Sequence, residues 1–122
     1  MKTELISLLR HKFDDIIHFV PDEELEFWFA RELQPLMGYA RWENFITAIK
    51  RAIVSCEITG YDPNDHFRGV TKMVKLGSGA EREIEDFLLT RYACYLIAQN
   101  GDPRLIVWSA LAPANATRRS RV

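Results

Sequence analysis

Residues 70–88 read VTKMVKLGSGAEREIEDFL, and this stretch decides whether the chain is a mixed fold. Residues 70–76 read as a strand, with Lys75 on the same face as Met73. Gly77, Ser78 and Gly79 supply the permissive backbone of a hairpin turn. Residues 82–88 read as the returning strand, since Ile84 and Leu88 keep a period of two. Glu81, Glu83, Glu85 and Asp86 oppose strand propensity, so a helix starting near Glu81 is the competing reading. The hairpin reading makes the chain α+β.

On the amino-terminal side, Trp42, Phe45, Ile46, Ile49, Ala52, Ile53 and Cys56 form one apolar stripe at helical spacing. That predicts a helix over 41–58, ended by Gly60, with Phe45, Ile49 and Ile53 buried. Before it, Leu5, Leu8, Leu9, Ile16 and Phe19 predict an opening helix over 4–19. Pro21 to Glu24 is a turn, and aromatic residues at 27–29 favour a short strand over 25–29. A helix over about 31–37 follows, ended by Gly38. Residues 61–66 are a polar loop. On the carboxy-terminal side, Thr90 caps a helix over 90–100, and Gly101 fits the left-handed position that ends many helices. Asp102 and Pro103 start a last helix reaching about 112. Residues 113–122 are small and basic and read as a flexible tail. The expected architecture is one small α+β domain over 1–112, helices packed on a short β-hairpin or sheet.

A chain of 122 residues holds one real core. No apolar run approaches the ~20 residues a bilayer crossing needs, and the acidic N-terminus does not read as a signal peptide. Cys56 and Cys94 lie in apolar helical patterns and read as buried thiols of a cytoplasmic protein. Neither has a second Cys or His at metal-ligand spacing, so no metal or cofactor is expected. The net charge of −1 is unevenly spread. Residues 1–32 hold eight acids and four bases, residues 41–75 six bases and four acids, and residues 104–122 four arginines and no acid. Such asymmetry permits a local anion-binding face.

The basic middle segment carries the candidate site. Arg41, Lys50, Arg51, Arg68, Lys72, Lys75 and Arg82 would meet one phosphate backbone if hairpin and long helix lie side by side. Arg41, Lys50, Arg51, Lys72, Lys75 and Arg82 are the DNA-contacting set taken forward; the alternative is a solvated surface. Gly77 to Ala80 lacks the pattern of a phosphate-cradling loop and reads as a turn. Asp65 beside His66 resembles an acid–base pair, but sequence adjacency does not bring the groups into contact. Trp42, Tyr92 and Tyr95 could stack on bases, and their helical settings favour core packing instead. With no converging catalytic set, the chain reads as a non-enzyme.

Four blocks carry a resemblance: Ala30 through Leu36, Arg41 through Phe45, Lys72 through Ala80, and residues 89–104. In this order, over roughly 12–104, they resemble the N-terminal half of the DNA-damage-inducible protein D family, which is related to the N-terminal domain of baculovirus repeated-ORF proteins. The resemblance implies a non-enzymatic protein of the bacterial DNA-damage (SOS) response. It also implies a DNA-binding module, single- or double-stranded, or alternatively an interaction module acting on the RecA recombinase filament or a phage-related regulator. It defines no catalytic residues to carry over. After Arg104 the chain departs from the pattern of a longer helical second half. It reads as an isolated N-terminal domain, a naturally shortened chain or a frameshifted one. The missing half bears more on recombinase modulation than on DNA binding. Val107 and Trp108 would then be available for self-association, which leaves a homodimer open.

Overall fold

The hairpin forms. In the computed structural model, which describes residues 2–101, β3 (Phe67–Lys75) and β4 (Glu81–Leu89) pair antiparallel from Phe67↔Leu89 to Lys75↔Glu81. Each residue of β4 has a partner on β3, and this continuous ladder overrides the weak strand propensity of its acids. The turn closes through Leu76 N–H to Ala80 O at 2.8 Å and Gly79 N–H to Leu76 O at 2.9 Å. Gly79 has φ of 90°, a conformation that favours glycine.

The opening helix is shorter than the sequence pattern suggests. α1 (Lys2–Asp15) stops before Ile16, and β1 (His18–Val20) pairs antiparallel with β2 (Leu25–Phe29). Phe19, expected on the helix stripe, is a strand residue and 61% exposed. Local periodicity could not reveal this, because β1 owes its conformation to a partner supplied after the turn at 21–24. The four strands form one antiparallel sheet in the order β1-β2-β4-β3.

α2 (Ala30–Leu36), α3 (Trp42–Ile58) and α4 (Arg91–Gln99) fall close to the expected spans. Thr90 caps α4 as expected, its Oγ1 accepting from Ala93 N–H at 3.1 Å. Gly101 is not left-handed. A Cβ there would lie 2.6 Å from the Tyr39 hydroxyl and 3.3 Å from the Ile97 carbonyl oxygen, so a side chain at this position would have to push the tyrosine tip aside. On α3, Phe45, Ile49, Ala52 and Cys56 are buried, whereas Trp42, Ile46 and Ile53 are only half-buried at the stripe's flanks. The last helix over 103–112 and the tail over 113–122 lie outside the described residues.

Successive strand residues alternate faces, so the register divides the sheet cleanly. Trp28, Phe67 and Leu89 share one face and belong to the core, with Phe45, Ile49, Cys94 and Ile97 from the helices. Phe13 of α1 stacks on Trp28 with centroids 4.3 Å apart. α4 packs on β2 and β4, and α3 packs chiefly on α4. The helices therefore bury one face of the sheet around Trp28, Phe67 and Leu89, and the other face contributes nothing to that cluster.

Both cysteines sit inside this layer. Burial raises the Cys94 thiol far above its ordinary pKa; burial, then Asp62, Glu57 and Asp65, raise Cys56. Protonated thiols are poor nucleophiles. A disulfide reagent at pH 8 is expected to leave both unmodified until denaturant is added, and rapid labelling of the native chain would contradict their placement.

Candidate nucleic-acid interface

The free sheet face begins with the register. His18 lies opposite Phe27, and Phe29 opposite Leu88, which is itself opposite Arg68. Further along the hairpin, Asp86 lies opposite Val70, Ile84 opposite Lys72, and Arg82 opposite Val74. Directly opposed residues point the same way. One face therefore carries His18, Phe27 and Phe29 toward β1 and β2, and Arg68, Lys72 and Arg82 toward β3 and β4.

The aromatic residues form a contiguous patch. His18 and Phe27 stack with centroids 5.4 Å apart and ring planes 20° apart. Phe29 meets His18 edge-on at 4.9 Å and Phe27 at 5.3 Å. All three are half-buried. Lys72 places its ammonium 3.5 Å from the Phe29 ring centroid and 2.8 Å from Asp86 Oδ2. The second contact is a charge pairing rather than an aligned hydrogen bond. Asp86 is fully buried. Its Oδ1 accepts from Arg31 N–H at 2.9 Å and Phe87 N–H at 2.8 Å. It thereby satisfies a free donor in the first turn of α2, whose N-cap residue Phe29 has no side chain able to do so. Glu32 lies at the rim, its Oε1 2.7 Å from His18 Nε2.

The reverse face of the outer hairpin has the opposite charge. Glu81, Glu83 and Glu85 face Lys75, Met73 and Thr71 across the ladder, and all six are exposed. The hairpin thus separates its charges: three acids against one lysine on one side, Arg68, Lys72 and Arg82 against the buried Asp86 on the other.

This separation splits the six cations singled out from sequence. Lys72 and Arg82 share the aromatic face, and Lys75 is on the acidic one. Lys50 and Arg51 are exposed on α3, which packs on α4 rather than beside the hairpin. Arg41 is exposed and 3.4 Å from Glu43. The carboxylate of Glu43 is held below its usual pKa range, first by a backbone hydrogen bond and then by Arg41. Sequence reasoning placed Phe27 and Phe29 on a strand without assigning them to a site. Glu26 and Trp28 alternate with them, so neither parity was visibly the solvent side.

Other sequence candidates have structural partners. His66 Nδ1 lies 2.7 Å from the capping hydroxyl of Thr90, not paired with Asp65, and its ring packs edge-on against Tyr61 and Tyr92. Trp42 is covered by the Arg31 guanidinium at 3.9 Å, and Tyr95 is buried. Among the described residues, no group of three His, Cys, Asp or Glu side chains is placed to hold a metal ion. Among them, too, no helix is long and apolar enough to cross a membrane.

Comparison with known proteins agrees with the resemblance carried by the four sequence blocks. The chain is 45% identical over 94 residues to DNA damage-inducible protein D of Escherichia coli (strain K12), an alignment covering 70% of this chain and 34% of that protein. The chain thus spans about a third of that relative's length. No solved structure matches it. The family profile for the BRO family, N-terminal domain, matches residues 15–108, which takes in β1 to β4 and α2 to α4, and the chain belongs to that family.

Proposed function

We propose that this domain is a DNA-binding module of a DNA-damage response and that it acts by binding rather than catalysis. The observation that carries the reading is the charge separation across the hairpin, which gathers Arg68, Lys72 and Arg82 on one face and Glu81, Glu83 and Glu85 on the other. A polyanion approaching the first face meets cations and aromatic rings, while the acids point away from it. The link to DNA damage rests on the relative named DNA damage-inducible protein D. The non-catalytic part is supported by the two buried, protonated thiols and by the engagement of His66 with Thr90.

Arg68 and Arg82 are the free cations of this proposal, since Lys72 is tied to Asp86. A salt titration of DNA binding tests it. Each phosphate contact contributes about 0.9 to the log–log salt slope on duplex and about 0.7 on single strands. Replacing both arginines by alanine is expected to flatten the slope by up to about two units on duplex, or about 1.4 on single strands. Exposed arginines usually contribute within about ±0.5 kcal/mol to folding, so the melting temperature should hardly move. An unchanged slope in the double variant, with Lys50→Ala/Arg51→Ala flattening it instead, would move the interface to α3.

A second reading, docking of a protein such as a recombinase filament, is favoured by one apolar row. Val54 is 53% exposed, Ile58 82% and Tyr61 53%. A parent chain that binds neither DNA form would favour it.

A further inference from the structure

We infer that the outer edge of β3 takes up an extended segment of another protein, alternating acidic and apolar residues, as a further strand of the sheet. The strand order places β3 at one margin, and among the described residues no strand pairs with its outer side. Hydrogen bonds at both ends of the hairpin define what that side presents. Leu76 N–H donates to Ala80 O at 2.8 Å, and Thr90 N–H donates to His66 O at 3.2 Å. Both pairs continue the register of the ladder, in which bonded and non-bonded pairs alternate. Even-numbered residues of β3 therefore bond to β4. Gly69, Thr71, Met73 and Lys75, all exposed, turn their backbone N–H and C=O groups outward.

The register is unbroken from Phe67 to Lys75, and no proline interrupts the strand. An edge of this kind is a template for strand addition. Residues 69–75 span about 20 Å, the length of a seven-residue extended peptide.

Charge selects the occupant. β3 holds Arg68, Lys72 and Lys75 and no acid. A second β3 would bring cations to cations, and like charges across a ladder are destabilising. Residues 104–122 carry four arginines and no acid, so the chain's own end does not complement this edge either. The strand that β3 does pair with, β4, holds Glu81, Glu83, Glu85 and Asp86 against one arginine.

The two faces fix the alternation. On the side of Arg68, Lys72 and Arg82 an incoming carboxylate meets cations. On the reverse side it would meet the field of Glu81, Glu83 and Glu85, about 10 Å away beyond β3. There an apolar side chain lies instead on Met73, which is 56% exposed. Arg68 is shared with the DNA-binding reading; the backbone groups of the edge are not.

Amide hydrogen exchange and an NMR titration with a blocked octapeptide alternating glutamate and valine test the inference. With peptide bound, the amides of Gly69, Thr71, Met73 and Lys75 are expected to exchange more slowly, and those of Val70, Lys72 and Val74 as before. Thr71→Pro removes one outward donor and spares the bonds of Val70 and Lys72 to β4. It is expected to lower peptide affinity about tenfold. Arg68→Ala is expected to lower it about 2- to 5-fold. N-methylating alternate residues of the peptide puts the same question to the unaltered chain, free of any folding defect, and is expected to abolish binding. Equal binding by the N-methylated peptide, or by one with lysine in place of glutamate, overturns the inference. So does the absence of any change at the four outward amides at millimolar peptide. Self-association of the parent in sedimentation, abolished by Thr71→Pro, assigns the edge to a second copy and overturns it too.

Discussion

Replacing Trp28 by alanine is expected to destabilise the domain by about 4–5 kcal/mol, the upper end for a buried aromatic. The indole is fully buried, stacks on Phe13 with planes 6° apart, and donates Nε1–H to the Phe13 carbonyl at 2.9 Å. That carbonyl lies in the last turn of α1, where helix acceptors have no intrahelical partner. The substitution therefore opens a core cavity and removes the bond that anchors α1 to the sheet. Arg91, whose guanidinium lies 5.0 Å from the Trp28 ring, also loses its seat. Its ion pair with Glu26, which raises the arginine's pKa, remains. A domain of this size has about 5–15 kcal/mol of total stability, so a drop in Tm on the order of 15 °C is expected. Trp28→Phe, which keeps a ring but not the donor, should cost much less. A Trp28→Ala melting curve that overlays the parent's would show that α1 is not held as described.

The second large effect is expected at Lys72. Lys72→Met should cost about 3 kcal/mol, the lower end for breaking a buried pair, because the lysine side chain is 31% exposed while that of Asp86 is wholly buried. Methionine covers Phe29 but leaves the buried Asp86 without its counter-charge, and Oδ2 then lacks any partner. The double variant Lys72→Met/Asp86→Asn is expected to recover part of the loss, since asparagine keeps an oxygen for Arg31 N–H without the charge. Urea denaturation of the single and double variants gives the coupling directly. Strictly additive losses would mean that the pair stabilises nothing. The same measurement separates Lys72 from Arg68 and Arg82, whose removal should affect DNA binding and not the fold.

Most of the elements were legible in the sequence, each for a local reason. α3 announced itself through a stripe from Trp42 to Cys56, α4 through the Thr90 cap, and the hairpin turn through Gly77 to Gly79. These signals depend on a residue's own neighbours. β1 was missed because three residues after a helix carry too little pattern, and its ladder partner is β2. At Gly101 the expected left-handed backbone is absent, and what a side chain there would meet first is the Tyr39 hydroxyl, far away in sequence. The cations were noticed too, but counting them along the chain could not tell Lys72, which answers a buried carboxylate, from Arg82, which answers none in its register.

What the sequence by itself determined is therefore the α+β class, the long helix, the hairpin and the family, all written in short-range periodicity, caps, turns and motif order. What only the tertiary structure decided is which face of the sheet is free. Strands β2 and β4 carry large side chains on both parities, Phe27 and Phe29 against Trp28 and Asp86 against Leu89. A period of two says that two faces exist and does not say which one the helices will cover. That choice follows from the packing of α1 and α4 on Trp28 and Leu89, long-range contacts that leave His18, Phe27, Arg68 and Arg82 together on the other side.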